Sequence, residues 1–449
     1  MNKKAFEPPV IKRMTSTVPG KFGSKSQVEP ISSIDGVPVA DLLEKFGSPL
    51  FILSEKTIRR VHQDASEAFK SRYPKVQLAW SYKTNYLDAV CRIYHQEGSW
   101  AEVVSGFEYE KALHNGVDGK RIIFNGPDKS ENDLRRAIDL DSYIHIDHFD
   151  ELFTLIRLAR EIGKRSRVAI RVNMDTGIYP KWDRFGFNFE NGEAAQAIDL
   201  IMESGALEMA GLHTHIGTYI ISLGAYRIAA EKLARLAIDT DRKYQHKIKY
   251  IDMGGGFASM NTLKGAYHTA SDTTPSFDQY AEAIAGALQK AGFDQGHLPV
   301  LILETGRALI DEAGYLAGQV LATKRLSDSR RALILDFGVN LLFTAFWYDH
   351  VLHPVEEVSG FLDEATLYGP LCMNIDVLRE QTQMPLFRKG DKVVISKVGA
   401  YNMTQWMQFI TYRPNVIMIA EDNSVHIIRR AETLETILGQ ESLPEHLKP

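Results

Sequence analysis

Cysteine is scarce in this chain: Cys91 and Cys372 are the only two among 449 residues. Two cysteines cannot build the disulfide framework of a small secreted domain, which fits a reducing compartment. Long apolar runs are missing. No uninterrupted stretch is long enough to span a bilayer, and the opening Met-Asn-Lys-Lys-Ala-Phe-Glu-Pro-Pro lacks the apolar core of a secretory signal. Neither sign of charge is in large excess. A net charge of -5 gives no argument for nucleic acid or membrane binding. Low-complexity tracts and sequence repeats are absent as well. What remains is ordinary globular composition, 44% hydrophobic and 24% charged. It suits a cytoplasmic protein of two domains, or one large barrel with an appendage.

Residues 1–30 are rich in Lys, Ser, Thr and Pro and are expected to form a partly mobile arm. Residues 31–53 carry short strand-like pieces, ending at Pro49-Leu50-Phe51-Ile52-Leu53. From residue 54 to 310, short apolar runs alternate with helical patterns such as 148–164 and 226–240. The runs are 76–82, 101–104, 121–125, 142–146, 167–172, 210–216, 248–253 and 299–304. Strands alternating with helices imply parallel pairing with right-handed crossovers. Eight such units point to a (β/α)8 barrel with its site at the C-terminal strand ends. A doubly wound open sheet is the alternative. After residue 310, runs such as 331–337, 392–398 and 415–419 are separated by turns more often than by helices, which reads as a second, mainly β domain over 311–449. The strands near 31–53 are expected to join it.

Chemically unusual residues fall at the predicted strand ends. Lys83 follows the run Val76–Trp80 in Trp80-Ser81-Tyr82-Lys83-Thr84-Asn85. An ammonium there must be solvated or given a task. One task is a Schiff base with a carbonyl group; the plain alternative is a surface lysine that snorkels. His213 and His215 end the sixth run, followed by Gly217-Thr218. Two apart on a strand, they would share a face. That spacing also suits a metal pair, although a metal site needs further ligands on other strands. Asp252 and Gly254-Gly255-Gly256 end the seventh run. Such a triplet permits close backbone approach and offers amide N–H groups to an anion, or is simply a tight turn. Glu304-Thr305-Gly306-Arg307 ends the eighth. A buried Glu304 needs a cationic partner, either Arg307 or a protonated ring nitrogen.

Together these motifs resemble the fold-type III pyridoxal-phosphate (PLP) decarboxylases, the family of diaminopimelate and ornithine decarboxylases. The resemblance runs over residues 45–420. It rests on Tyr82-Lys83-Thr84-Asn85, Glu102-Val103-Val104-Ser105 with Glu108, and His213-Thr214-His215-Ile216-Gly217-Thr218. It continues through Asp252-Met253-Gly254-Gly255-Gly256-Phe257, Glu304-Thr305-Gly306-Arg307, Gly369-Pro370-Leu371-Cys372 with Asp376, and Gly399-Ala400-Tyr401. The texture of Gly369–Asp376 and of Asp336–Asn340 leans towards the diaminopimelate branch. The resemblance implies an alanine racemase-like fold, PLP as cofactor, and a homodimer with shared sites. It also implies roles. Lys83 would hold the cofactor covalently, His215 would stack on its ring, and Glu304 would pair with the ring nitrogen. Arg171 would lie near the phenolic oxygen. Thr218, Gly254, Gly255, Gly256, Gly306, Arg307 and Tyr401 would form the phosphate site. Cys372 would return a proton to Cα from a partner subunit.

Two departures bear on the substrate. Diaminopimelate decarboxylases typically carry a glutamate after the cysteine, for a distal ammonium, where this chain has Met373. They carry an arginine for a substrate carboxylate where this chain has Thr344. Neither replacement can form those contacts. The neighbours Phe343, Phe346 and Trp347 suggest a larger or less polar distal group. An amino acid other than meso-diaminopimelate is therefore expected as substrate. The alternatives are true diaminopimelate decarboxylation, a PLP-dependent racemase, and a catalytically silent protein-binding homologue.

Overall fold

The structure is a computed structural model and describes residues 28–294, 297–358 and 362–448. The expected N-terminal arm lies almost wholly outside the described residues. Where strand-like pieces were read in 31–53, the chain forms a two-residue hairpin (Ser33–Ile34 with Val37–Pro38), a helix at Val39–Phe46, and strand β1 at Leu50–Ser54. The helix was missed because it is short. It is amphipathic and buries Val39, Leu42 and Leu43 against Leu50, Ile52, Ala317, Ile417 and Ile419.

Eight parallel strands follow: β2 (Val76–Ser81), β3 (Trp100–Val103), β4 (Ile122–Phe124), β5 (Tyr143–Ile146), β6 (Ser166–Asn173), β7 (Leu207–His213), β8 (Tyr250–Asp252) and β9 (Val300–Leu303). Each pairs with the next, and β9 pairs back onto β2 through Leu301–Val76 and Leu303–Leu78, so the barrel is closed and the open sheet is set aside. Strands covered on both faces read as continuous apolar runs, which is why the pattern was legible. The interior is filled by Ala79, Ile123, Ala169, Ala210, Tyr250 and Ile302. The three alanines make room for Tyr250, whose ring also lies where a Cβ on Gly211 would be. One boundary moves. The run read as 210–216 is a strand over Leu207–His213, so alternation stops at His213 and His215 belongs to the loop beyond.

The second sheet is built on β10 (Gly314–Arg325), β11 (Arg331–Leu335), β12 (Leu352–Pro354), β13 (Asp363–Tyr368), β14 (Val377–Met384), β15 (Lys392–Ser396), β16 (Val416–Ile419) and β17 (Val425–Arg429). Its order is β14-β13-β11-β10-β1-β16-β17, with β15 pairing both β10 and β12. Strand β1 thus sits between β10 and β16, both far from it in sequence. The loop after β15 returns to the barrel. Asn85 donates to the Gly399 carbonyl (3.0 Å), the Tyr401 N–H to the Thr84 carbonyl (2.9 Å), and the Ala400 N–H to buried Asp311 (3.1 Å). These bonds bring Tyr401 beside the turn that carries Lys83.

Candidate active site

Lys83 lies in a single 3-10 turn, Tyr82–Thr84, directly after β2. Its Nζ donates to both oxygens of Glu102 on β3, at 3.0 and 2.8 Å. Ser81 and Asn125 also donate to Glu102, so the carboxylate is fixed from three sides. Desolvation lowers the Lys83 pKa, but the Glu102 and Glu304 charges outweigh it and hold the amine above its ordinary value. Nearby, burial and the Glu102 charge push Glu108 up to about 7.

Glu304 is 5% exposed, just past β9. Its partner is not Arg307. Asn125 donates to Oε1 at 2.6 Å, and His213 Nε2 lies 3.3 Å from Oε2. Asn125 therefore bridges Glu102 and Glu304, 202 positions apart in sequence numbering. Burial and the Glu304 charge push Asp252 well above the ordinary carboxyl value. Burial holds His145, His213 and His215 well below the ordinary imidazole value, which favours their neutral forms. The two histidines expected to share a face have different partners. His213 meets Glu304 and the His145 ring, whereas His215 accepts the Gly255 N–H on Nδ1 (3.1 Å) and approaches Trp182.

Arg307 opens a short helical turn and reaches across the mouth. It bonds Thr218 Oγ1 at 3.2 Å and the Tyr348 hydroxyl, and it lies over the rings of Tyr401 (4.7 Å) and Trp347 (5.5 Å). Gly306 is required because a Cβ there would strike the Thr84 hydroxyl. Gly256 has φ +89°, and its Cβ would meet the Gly217 carbonyl. Two amides of the glycine triplet are already used: Gly254 N–H donates to Asp252 (2.8 Å) and Gly255 N–H to His215. The triplet thus cannot offer three N–H groups to one anion. Arg171, on β6, pairs with Asp147 at 3.5 Å and covers the Phe185 ring at 4.3 Å.

The residues expected to meet substrate are not gathered in the same way. Thr344 is buried. Its hydroxyl is engaged by His350 Nε2 (2.8 Å) and Asn402 Oδ1 (3.0 Å). Cys372 is exposed, on the loop between β13 and β14. That loop is held at its base by Asp376, which accepts the Val339 and Leu371 N–H groups, both at 2.8 Å. Met373 is half-buried beside it.

Sequence reasoning gave no role to Glu102, Asn125, His145, Tyr250 or Tyr348. A signal existed for two of them. Glu102 in Ala-Glu-Val and His145 in Ile-His-Ile are polar residues between apolar neighbours on barrel strands, and both turn out to be buried.

A family model described as the pyridoxal-binding domain of pyridoxal-dependent decarboxylases matches residues 55–311, more than half of the chain. The chain belongs to this family. Diaminopimelate decarboxylase of Methanocaldococcus jannaschii is 28% identical over 431 residues, covering 92% of this chain and 95% of that one. The Bacillus subtilis diaminopimelate decarboxylase is 27% identical over 423 residues, covering 90% and 94%. The crystal structure of the M. jannaschii enzyme matches with a TM-score of 0.85 at 28% identity, over 93% of this chain and 97% of that one. A lysine/ornithine decarboxylase from Vibrio vulnificus, 22% identical over 86% of this chain and 98% of that one, shares the fold with a TM-score of 0.72. The chain is thus a PLP-dependent carboxy-lyase of the decarboxylase family. Among the described residues no helix is long and apolar enough to cross a membrane.

The decarboxylase's mouth fits that cofactor. It has an amine on a strand-end turn, a buried carboxylate with no cationic partner, and a glycine-lined recess under an arginine. Thr84 Oγ1, Asp252 Oδ2 and Thr305 Oγ1 are buried there without a hydrogen-bond partner, as expected of atoms awaiting a polar ligand.

Proposed function

We propose that this enzyme decarboxylates an amino acid other than meso-diaminopimelate, at a site completed by a second copy of the chain. The carrying observation is Met373 beside Cys372, where the resembling enzymes place an acid. A thioether cannot pair with a distal ammonium. Leaving such a charge unpaired costs on the order of 1–3 kcal/mol. Thr344 adds support, because its hydroxyl is spent on His350 and Asn402 rather than turned to a ligand.

When bound, PLP supplies an electron-poor ring that accepts the electron pair left by departing CO2. The chain's own residues do the rest. Lys83 anchors the cofactor, and Glu102, touching Nζ, takes or returns the proton that the amine exchanges. Glu304 would hold the ring nitrogen and favour its protonated form, and His215, pinned by the Gly255 N–H, would hold the ring. Arg307, Thr218, Gly256, Gly306 and Tyr401 would hold the phosphate, and Arg171 would serve the phenolic oxygen. Cys372 of one copy returns a proton to Cα in its neighbour's site; a thiol is suited to this because its ordinary pKa is nearer neutrality than a hydroxyl's. An exposed Cys372 and buried Cys91, both unpaired, accord with a cytoplasmic setting.

The test is CO2 release from a panel of meso-diaminopimelate, lysine, ornithine, arginine and N-acylated diamino acids. The expected result is turnover of another member well above meso-diaminopimelate. Efficient turnover of meso-diaminopimelate alone defeats the proposal and restores the role named for the relatives.

A further inference from the structure

Glu304 stands on an unusual floor. Below it lie two imidazoles, His145 from β5 and His213 from β7, with ring centroids 4.8 Å apart. Their side chains are 0% and 2% exposed. His213 Nε2 is 3.3 Å from Glu304 Oε2, and His145 Nδ1 is 4.0 Å from Oε1. Neither nitrogen makes a hydrogen bond in this structure; His213 Nε2 stands within hydrogen-bond range of the carboxylate and His145 Nδ1 just beyond it. His145 is held from the far side, where Nε2 meets the Tyr250 hydroxyl at 3.0 Å. Tyr250 is the ring for which the barrel interior clears space, so the packing core and the floor are one construction.

We propose that His145 and His213 are positioning residues that hold Glu304 from below and keep its charge available to the ring nitrogen of the cofactor. This rests on the assignment of Glu304 to that nitrogen. The alternatives to such a floor show its use. A lysine or arginine there would neutralise Glu304 and repel a protonated ring. An apolar floor would leave Oε2 desolvated, and a desolvated carboxylate takes up a proton itself. Neutral imidazoles set polar ring edges beside the carboxylate without net charge, so Asn125 fixes Oε1 and the charge remains unspent. The charged groups around the pair are accounted for. Lys83 faces it from the turn after β2, Arg171 from β6, Lys129 from the loop after β4 and Glu102 from β3, and Asp252 at the end of β8 stands against Glu304 itself, its carboxyl pushed up by burial and the Glu304 charge. With burial, Lys129 and Arg171 oppose a charge on either ring, and Lys83 adds to this at His213, so the neutral forms are favoured.

The experiment uses holoenzyme without substrate, carrying cofactor with an isotope-labelled ring nitrogen. Nuclear magnetic resonance reads the protonation of that nitrogen across pH, and equilibrium dialysis reads cofactor affinity. His213→Phe and His145→Phe keep an aromatic ring and remove the N–H groups. His213→Phe should lower the pH at which the ring nitrogen loses its proton by about one unit and weaken cofactor retention about tenfold, the same free energy seen two ways. His145→Phe should do the same to a smaller extent. His213→Gln, which restores a donor, should recover most of the loss, and this separates positioning from mere packing. Glu304→Gln is the reference. If it moves the nitrogen signal while neither phenylalanine variant does, the floor proposal is overturned and the Glu304 assignment survives. If Glu304→Gln moves nothing, both fall together. One equivalent of a transition metal in the purified protein, lost with either phenylalanine variant, would also overturn the proposal, because the trio would then be a metal site.

Discussion

In the barrel mouth, Lys83 touches Glu102, Glu304 touches Asn125 and His213, and Arg307 touches Thr218 and Tyr348. On the loop between β13 and β14, Cys372 is exposed, and Ile375 beside it is 59% exposed. Both regions carry residues of the resembling family's motifs, yet only one is finished within a single chain. A charged group removed from water must be paired, so the barrel fixes each of its own. A thiol in water has no such need, and its loop is held from behind by Asp376 and by Leu371 packed into the core. The barrel residues proposed to hold the cofactor are thus fixed by folding, whereas the exposure of Cys372 is compatible with the proposed site shared between two copies.

The contrast can be broken most severely at Lys83. Lys83→Ala should abolish turnover and the visible absorption of bound cofactor while the circular dichroism spectrum persists; an active variant would sink the mechanism. Next is Cys372→Ala, expected to lower kcat by about 10²–10⁴-fold, the range for losing a positioned proton donor, with cofactor absorption unchanged. Mixing it with Lys83→Ala chains should restore some activity through hybrid dimers. No recovery, once subunit exchange is verified, would count against a shared site.

Glu108 sharpens the barrel side of the comparison through stability. Its folded value of about 7 lies above the ordinary 4.5. Its contribution is thus complete below pH 4.5 and lost as pH rises through 7. Glu108→Gln keeps an acceptor for the Val104 N–H. In chemical denaturation it should equal the wild type near pH 4.5 and exceed it by about 1–3 kcal/mol near pH 8. Equal stability at both pH values would mean that the barrel does not strain this carboxyl. The smallest effect belongs to the exposed loop. Met373→Glu should raise kcat/KM for meso-diaminopimelate about tenfold, as a new charged contact to the distal ammonium allows; no change would place the distal group elsewhere.

The sequence by itself determined the alternation of eight strands with helices, because strands buried on both faces must be apolar along their whole length; that they close into a barrel rather than an open sheet was decided by the pairing of β9 onto β2. It also determined which residue types stand at the strand ends, since lysine, paired histidines, glycine triplets and Glu-Thr-Gly-Arg are conspicuous after apolar runs. It did not reveal that β7 stops at His213, because Thr214, His215 and Ile216 continue the same alternation although the ladder has ended. Nor could it reveal partners. Whether Glu304 would meet Arg307 three residues away or Asn125 179 residues away was decided when β9 closed onto β2 and brought β4, β5 and β7 around one carboxylate. Tertiary structure alone spent Thr344 on His350 and Asn402, and left Cys372 in water. The physical reason is the same in each case. Burial along a strand is a local property of its residues, whereas the pairing of a buried charge depends on which distant groups the closed barrel sets around it.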